Sequence, residues 1–516
     1  MSLTASRLAH WRPNDLALAD ERQRITWNTL DPLVNRIVNG LRAAGLSSEG
    51  RAAVFASNCV ENALVYIGAL EAGVSTVPIN FHLTVDELTY ILRDSQAEIL
   101  FVGPDTQEVG QEAAAKAGVK TVVGWRCEPR RNQLEWGAWL DASNASEATT
   151  TFSPRPHLHY TSGTTGQPKG TETPPNMLPA TGSVADMFDA LSARFQSNGA
   201  RSPMMIVGPM YHSGPLNSVR SLGGGAALVI LSRFDPETVL KTIEEYRIQA
   251  VGMVPTHFQR LLALPEDVRN RYDISSLRIV SHTGSACPRN VKQAMIDWFG
   301  PVLVEDYGGS ESGATNRINS EDWLRRPGSV GRTLPPFEAL ILDENAKPLP
   351  AGQEGRIYFR DTTGRGIRYH NDEEKTRAAH LSPGIFTLGE IGFVDDEGFL
   401  FITDRASDMI VSGGVNIYPA EIEKVLIQHP QILDVSVVGV PNADMGEEVR
   451  AIVVPRSLEQ PPATDELTRF CRKSLAGYKC PRGYDFVPDI GRNAMGKINK
   501  KELRQRYWPT TRTIAG

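Results

Sequence analysis

The chain has 516 residues, 41% hydrophobic and 22% charged, with a formal net charge of −6, a composition typical of globular proteins and too long for a single core, so two or three domains are expected. So small a charge excludes the concentrated basic face of a nucleic-acid binder. The scattered Cys59, Cys127, Cys287, Cys471 and Cys480 exclude a disulfide framework and a cysteine-based zinc site, and the absence of a leader pattern or an apolar run near ~20 residues points to the cytoplasm and gives no transmembrane segment.

In chain order, residues 63–72 read as an apolar helix and 74–79 as a short strand. Thr84-Val85-Asp86-Glu87 is a capping box that opens a helix towards Arg93. Apolar runs at 97–102 and 120–123 follow, and the polar, aperiodic stretch 124–156 reads as a connecting excursion. Residues 226–231 form a continuous apolar strand, after which Asp235-Pro236 supplies a cap and a proline at the first helical position. Further buried strands are expected at 251–254, 277–281 and 302–305. This alternation predicts an α/β fold: a large N-terminal domain of layered α/β subdomains with largely parallel sheets.

The character changes near Arg356. Residues 355–360 and 398–402 read as short strands, with Asp395-Asp396-Glu397-Gly398 as a hairpin turn; they make a β-rich subdomain. A helix at 419–428, strands at 435–440 and 449–454, a helix at 465–475 and a strand at 484–487 then form a small mobile α+β unit. The boundary is expected at 406–408, dividing a large domain, 1–405, from a small C-terminal domain, 406–516.

The segment that carries most chemistry is Tyr160-Thr161-Ser162-Gly163-Thr164-Thr165-Gly166-Gln167-Pro168-Lys169-Gly170. Glycines let backbone N–H groups approach a ligand, hydroxyls add donors, and Lys169 adds charge, a set suited to polyphosphate. Lys169 is followed by Gly170, so the string is not a Walker A loop. A flexible Gly/Ser/Thr linker is the plain alternative, and the full string is far more specific than that.

The string resembles the signature loop of the adenylate-forming superfamily, which includes acyl-CoA synthetases, nonribosomal-peptide adenylation domains and firefly luciferases. The other family segments occur in the expected order across nearly the whole chain, in an arrangement similar to fatty acyl-CoA synthetases and 4-coumarate–CoA ligases. The resemblance implies ATP, Mg²⁺ and coenzyme A as cofactor and co-substrates, with Thr161, Ser162, Gly163, Thr164, Thr165, Gly166 and Lys169 around the phosphates. Pro209-Met210-Tyr211-His212 resembles the segment that gates the acyl pocket, and Thr283-Gly284-Ser285-Ala286-Cys287-Pro288 the turn that contacts adenine. In Asp306-Tyr307-Gly308-Gly309-Ser310-Glu311, Tyr307 would stack on adenine, Ser310 meet the α-phosphate, and Glu311 bind Mg²⁺ together with Thr165. Asp306 and Gly308 flank the nucleotide there, and Gly308 and Gly309 also border the acyl pocket with Tyr211 and His212.

Three later segments complete the set. Glu390 stands where the family usually has the aspartate that grips both ribose hydroxyls, one methylene longer. Arg405 would contact ribose or phosphate, and Asp408 would be the inter-domain hinge; Ser412, Gly413 and Gly414 would line the coenzyme A channel. Lys497, in Gly496-Lys497-Ile498-Asn499-Lys500, would be the catalytic lysine between the substrate carboxylate and the α-phosphate. The expected reaction is ATP-dependent formation of an acyl-adenylate followed by thioester formation, releasing AMP and pyrophosphate. The competing readings are an enzyme that loads a carrier-protein thiol, a luciferase-like oxidative use, and a non-catalytic nucleotide or acyl-AMP regulator. The acid is left open among fatty, aromatic and polycyclic classes, and so is assembly into a homo-oligomer.

Overall fold

The computed structural model describes residues 4–46, 50–147, 151–161, 168–172, 182–197, 203–284, 287, 289–343, 345–405, 410–491 and 500–508. Near the N-terminus, five parallel strands lie in the order Ser75–Ile79, Arg51–Phe55, Ile99–Val102, Thr121–Gly124 and Gln133–Glu135. Every residue of the first three is buried, as continuous apolar runs covered on both faces require. The expected capping box is present at the start of Val85–Asp94: the Thr84 N–H donates to Glu87 Oε2 at 2.9 Å and the Glu87 N–H donates back to Thr84 Oγ1 at 3.5 Å.

The stretch 124–156 corrects the sequence reading. It is not a bare connection: Gln133–Glu135 is the fifth strand of this sheet, and Trp136–Asp141 is a short helix behind it. Trp136 and Trp139 stack at 5.6 Å, and Trp139 meets Phe101 edge-on at 5.4 Å. A strand of three residues with one buried position shows no period-2 alternation, so its tertiary role leaves no local trace.

The second sheet is mixed and has 15 strands. Its parallel half runs Leu16–Ala19, Leu228–Ile230, Met204–Ile206, Ala250–Met253, Ile279–His282 and Leu303–Gly309. Asp235 caps the helix Pro236–Tyr246 as expected, accepting the Thr238 N–H at 2.8 Å with Pro236 in the first turn. Beyond Leu303–Gly309 the sheet turns antiparallel through Gly313–Asn319, Ser329–Thr333, Phe399–Arg405, Glu390–Val394 and Gly355–Asp361. The expected hairpin turn at 395–398 closes with the Gly398 N–H donating to the Asp395 carbonyl at 3.1 Å.

Phe399–Arg405 is the last strand of that sheet, and Ile410–Ser412 opens a different one, of five strands. There the hairpin Ile432–Asn442 and Gly446–Pro455 forms the spine, with Gly483–Phe486 added in parallel. Helices Pro419–Leu426 and Thr464–Arg472 bury Ile422, Leu426, Leu467 and Cys471 against it, so this unit owns a hydrophobic core. No helix among the described residues is long and apolar enough to cross a membrane.

Candidate active site

Four neighbouring parallel strands end on one edge, and the loops that leave those ends carry residues singled out by sequence, Tyr211 and His212 after Met204–Ile206, Gly284 after Ile279–His282, and Asp306 to Glu311 at the end of Leu303–Gly309, together with Val254 after Ala250–Met253. The carboxyl edge of an open parallel sheet is where such folds bind ligands.

The phosphate string straddles a hairpin. Strand Leu158–Thr161 pairs antiparallel with Lys169–Glu172, placing Thr161 opposite Lys169. Ser162, Gly163, Thr164, Thr165 and Gly166 lie outside the described residues. Lys169 Nζ pairs with Asp372 Oδ2 at 3.1 Å. The segment carrying Asp372 is stitched to the hairpin by a bridge between Thr171 and Tyr369 and by the His370 N–H, which donates to the Gly170 carbonyl at 2.7 Å.

That stitching brings in three residues the sequence reading missed. The Tyr369 hydroxyl donates to Glu311 Oε1 at 3.0 Å. Lys375 Nζ lies over the Tyr369 ring, 3.8 Å from its centroid, a cation–π contact. Asp372 both pairs with Lys169 and caps the helix Glu373–Ala378, accepting the Lys375 N–H at 2.9 Å. Burial and then the neighbouring Lys169 push the Lys375 ammonium down to about 8, against the opposing pull of Glu311 and Asp372. Two lysines and two carboxylates thus gather on one segment, Lys375 and Glu311 on Tyr369 itself and Lys169 on Asp372. No motif of their own marks Tyr369, Asp372 or Lys375, and only the long-range bridge to Thr171 brings them in.

On the strand Leu303–Gly309, the Tyr307 hydroxyl donates to Glu390 Oε2 at 2.9 Å, and Glu390 is only 8% exposed. The ladder sets Glu390 directly opposite Arg405; the Arg405 side chain lies outside the described residues. Asp306 is held by Arg317 on the adjacent strand through two contacts, at 2.6 and 3.1 Å. Gly308 has a backbone reason to be glycine: a Cβ there would come 1.9 Å from the Gly313 carbonyl oxygen across the hairpin. Gly309 and Ser310 sit at the mouth of the same hairpin, where the Gly309 N–H donates to Ser312 Oγ at 3.0 Å. Ser285 and Ala286 lie outside the described residues.

The opposite wall is neutral. His212 is pushed down to about 4 by burial, and His159, on the strand before the phosphate loop, to about 3 by burial and the nearby His212. The Tyr211 ring packs against His212 at 4.4 Å and Phe81 at 5.4 Å. Ser412, Gly413 and Gly414 form the turn between Ile410–Ser412 and Val415–Ile417. They reach this site: a Cβ on Gly414 would be 3.4 Å from Val254, and one on Gly284 3.8 Å from the Gly414 carbonyl oxygen. Asp408 and Lys497 lie outside the described residues.

Residues 6–365 match the AMP-binding enzyme family and residues 421–497 the AMP-binding enzyme C-terminal domain. The chain belongs to the AMP-binding enzyme family. It is 32% identical to the long-chain-fatty-acid–CoA ligase FadD13 of Mycobacterium tuberculosis, with 94% of each chain covered. It is 31% identical to a feruloyl-CoA synthase of an Amycolatopsis species, with 97% and 98% covered. Among solved structures it resembles the amide bond synthetase McbA of Marinactinospora thermotolerans, with TM-score 0.82, 26% identity, and 98% and 100% covered. A double mutant of the o-succinylbenzoate CoA synthetase MenE of Bacillus subtilis, bound with its product analogue OSB-NCoA, gives TM-score 0.80 at 25% identity, with 98% of each chain covered. ATP-bound MatB of Rhodopseudomonas palustris gives 0.64 at 26% identity, with 98% and 99% covered. The chain is an AMP-forming acid–thiol ligase with the adenylate-forming fold, in agreement with the class its motifs imply.

Proposed function

We propose that the chain converts an apolar or aromatic carboxylic acid to its coenzyme A thioester at the site around Tyr369. The observation that carries this is the meeting of Lys375 and Glu311 on that tyrosine, with Lys169 held on the same segment by Asp372, beside a Tyr307–Glu390 pair, at the carboxyl edge of the parallel strands. In the first step an oxygen of the acid attacks the α-phosphorus of ATP. The new O–P bond forms as the bond to the β-phosphate bridging oxygen breaks, and pyrophosphate leaves. Lys169 and Lys375 take up the β- and γ-phosphate charge, and catalysis is mostly alignment and charge stabilisation. Glu311 is a hard oxygen ligand suited to Mg²⁺, which is held by one or two carboxylates with substrate phosphates and neutralises phosphate charge when bound. Glu390 accepts from ribose, assisted by Tyr307, and Lys497 bridges the acid and the α-phosphate.

In the second step a thiol sulfur attacks the acyl carbon, the bond to AMP breaks, and the thiol proton is lost. Units 1–405 and 406–516 turn about Asp408 between the steps, exchanging the Lys497 loop for the Ser412–Gly414 turn. Two observations support assigning the present orientation to the second step. The Gly414 turn lies against Val254 and Gly284, and the chain superposes better on MenE with its coenzyme A analogue than on ATP-bound MatB at equal coverage. The acid class is argued from the neutral wall of Tyr211, Phe81, His159 and His212, whose own side chains offer no charged partner to a second carboxylate on the substrate.

A screen of aliphatic, aromatic and dicarboxylic acids with ATP and coenzyme A, read by AMP release and thioester absorbance, tests this. Monocarboxylic acids with apolar bodies are expected to turn over with free coenzyme A alone. AMP release confined to dicarboxylic acids, or to assays containing a carrier protein, would overturn it.

A further inference from the structure

Lys479 is a lysine with 1% exposure that no step above uses. It sits in the short turn Gly477–Lys479 of the C-terminal unit. Its ammonium donates to Glu421 Oε1 at 2.7 Å within that unit and to Glu87 Oε1 at 2.8 Å in the large unit. A lysine so deeply buried stays charged only when paired, and here it bridges two carboxylates. The neighbouring Tyr478 is partly buried in the apolar clusters of both units, and Ala476 is buried in the large unit's cluster. This turn is therefore a plug set into the large unit beside the helix Val85–Asp94.

Resting on the two-orientation reading above, we infer that the Lys479–Glu87 pair is the latch that holds the C-terminal unit in the orientation for thiol transfer, making Glu87 and Lys479 positioning residues for the second half-reaction. The partners of each residue make the pair selective for one orientation. When the C-terminal unit turns, Lys479 keeps Glu421, which travels with it. Glu87 keeps the N-terminal cap of its own helix, where its Oε2 accepts the Thr84 N–H at 2.9 Å and the Thr84 hydroxyl at 3.0 Å. Neither group is stranded by the turn, so the ionic contact that differs between orientations is the bond across the interface, alongside the apolar seating of Ala476 and Tyr478. An equilibrium is shifted only by such differential contacts. Another ion pair across the units among the described residues, Arg260 to Asp444 at 3.1 Å, joins side chains 40% and 59% exposed and adds little.

The test separates the two half-reactions on the full-length enzyme. Glu87→Gln is the deciding variant, because glutamine still caps the helix while the charge opposite Lys479 is lost. Lys479→Met removes the pair from the other side and Lys479→Arg retains the charge. Acid-dependent ATP–pyrophosphate exchange is expected to stay within twofold of the parent in Glu87→Gln, while coenzyme A-dependent release of thioester from the bound adenylate falls about tenfold, because the competent orientation is less populated. Glu87→Gln combined with Lys479→Met is expected to lose no more than the worse single variant, and Lys479→Arg to recover part of the rate. Equal losses in both half-reactions, or an unchanged thioester rate in Glu87→Gln, would overturn the latch. A parent enzyme that forms adenylate but never thioester would instead overturn the reading on which the latch rests.

Discussion

The two walls of the site solve opposite electrostatic problems. The wall to which we assign the phosphates gathers charge before any ligand arrives: Lys169 against Asp372, Lys375 over the Tyr369 ring, Glu311 accepting from the Tyr369 hydroxyl. The wall to which we assign the acyl group uses titratable side chains and keeps them uncharged, His212 and His159 being pushed far below their ordinary range by burial. A polyanion must be met by preorganised charge, whereas an apolar body is met by surface that burial has already made neutral. On the function proposed above, one wall is expected to govern rate and nucleotide affinity, and the other the acid and the stability of the fold.

Breaking the first wall has the largest expected effect. Glu311→Gln is expected to lower kcat for acid-dependent pyrophosphate release by ~10²–10³-fold, with the thermal midpoint little changed; a loss under threefold would remove Glu311 from the phosphate site. Lys375→Met is expected next, raising KM for ATP about tenfold, the scale of one lost hydrogen bond to a charged group. Lys375→Arg is expected to restore most of that. An ATP titration by isothermal calorimetry checks both.

The second wall is tested by pH. His212, at about 4, His159, at about 3, and, outside that wall on the helix Pro255–Leu262, His257, also at about 3 from burial and then Arg260, are neutral in the folded chain and titrate near 6.5 once it unfolds. The unfolded chain therefore binds more protons below that pH, so stability is full above about 6.5 and falls as the pH drops towards the folded values. Each histidine contributes a slope of roughly 1.4 kcal/mol per pH unit there. Denaturant melts between pH 7 and pH 5 are expected to show the fall, and His257→Gln to flatten it; a flat profile in the parent would mean these rings are hydrated. The smallest effect is on the acid itself. His212→Phe is expected to change KM for the acid a few-fold and kcat for adenylation less, sharpening the assignment of that wall to binding.

What the sequence made legible follows the same division. Lys169 and Glu311 stand in strings whose composition already spells phosphate and metal chemistry, and the capping box at Thr84 and the cap at Asp235 are written in adjacent residues. Tyr369, Asp372 and Lys375 were invisible because the Thr171–Tyr369 bridge that delivers them joins residues almost two hundred positions apart. Gln133–Glu135 escaped for a related reason, since its strand character comes from Val122 to Gly124 beside it and not from its own three residues. The role of Glu87 as a latch shares this origin, for its partner Lys479 lies on the far side of the chain.

The turn at Gly414 carries a consequence for redesign. The added methyl of Gly414→Ala would meet Val254 at 3.4 Å, so the clearance between the two units at this spot is set to within one carbon atom by a valine. Gly414 itself is held by its positive φ of 80°, which an alanine would strain, so Val254 is the side of this contact that substitution can alter without disturbing the turn.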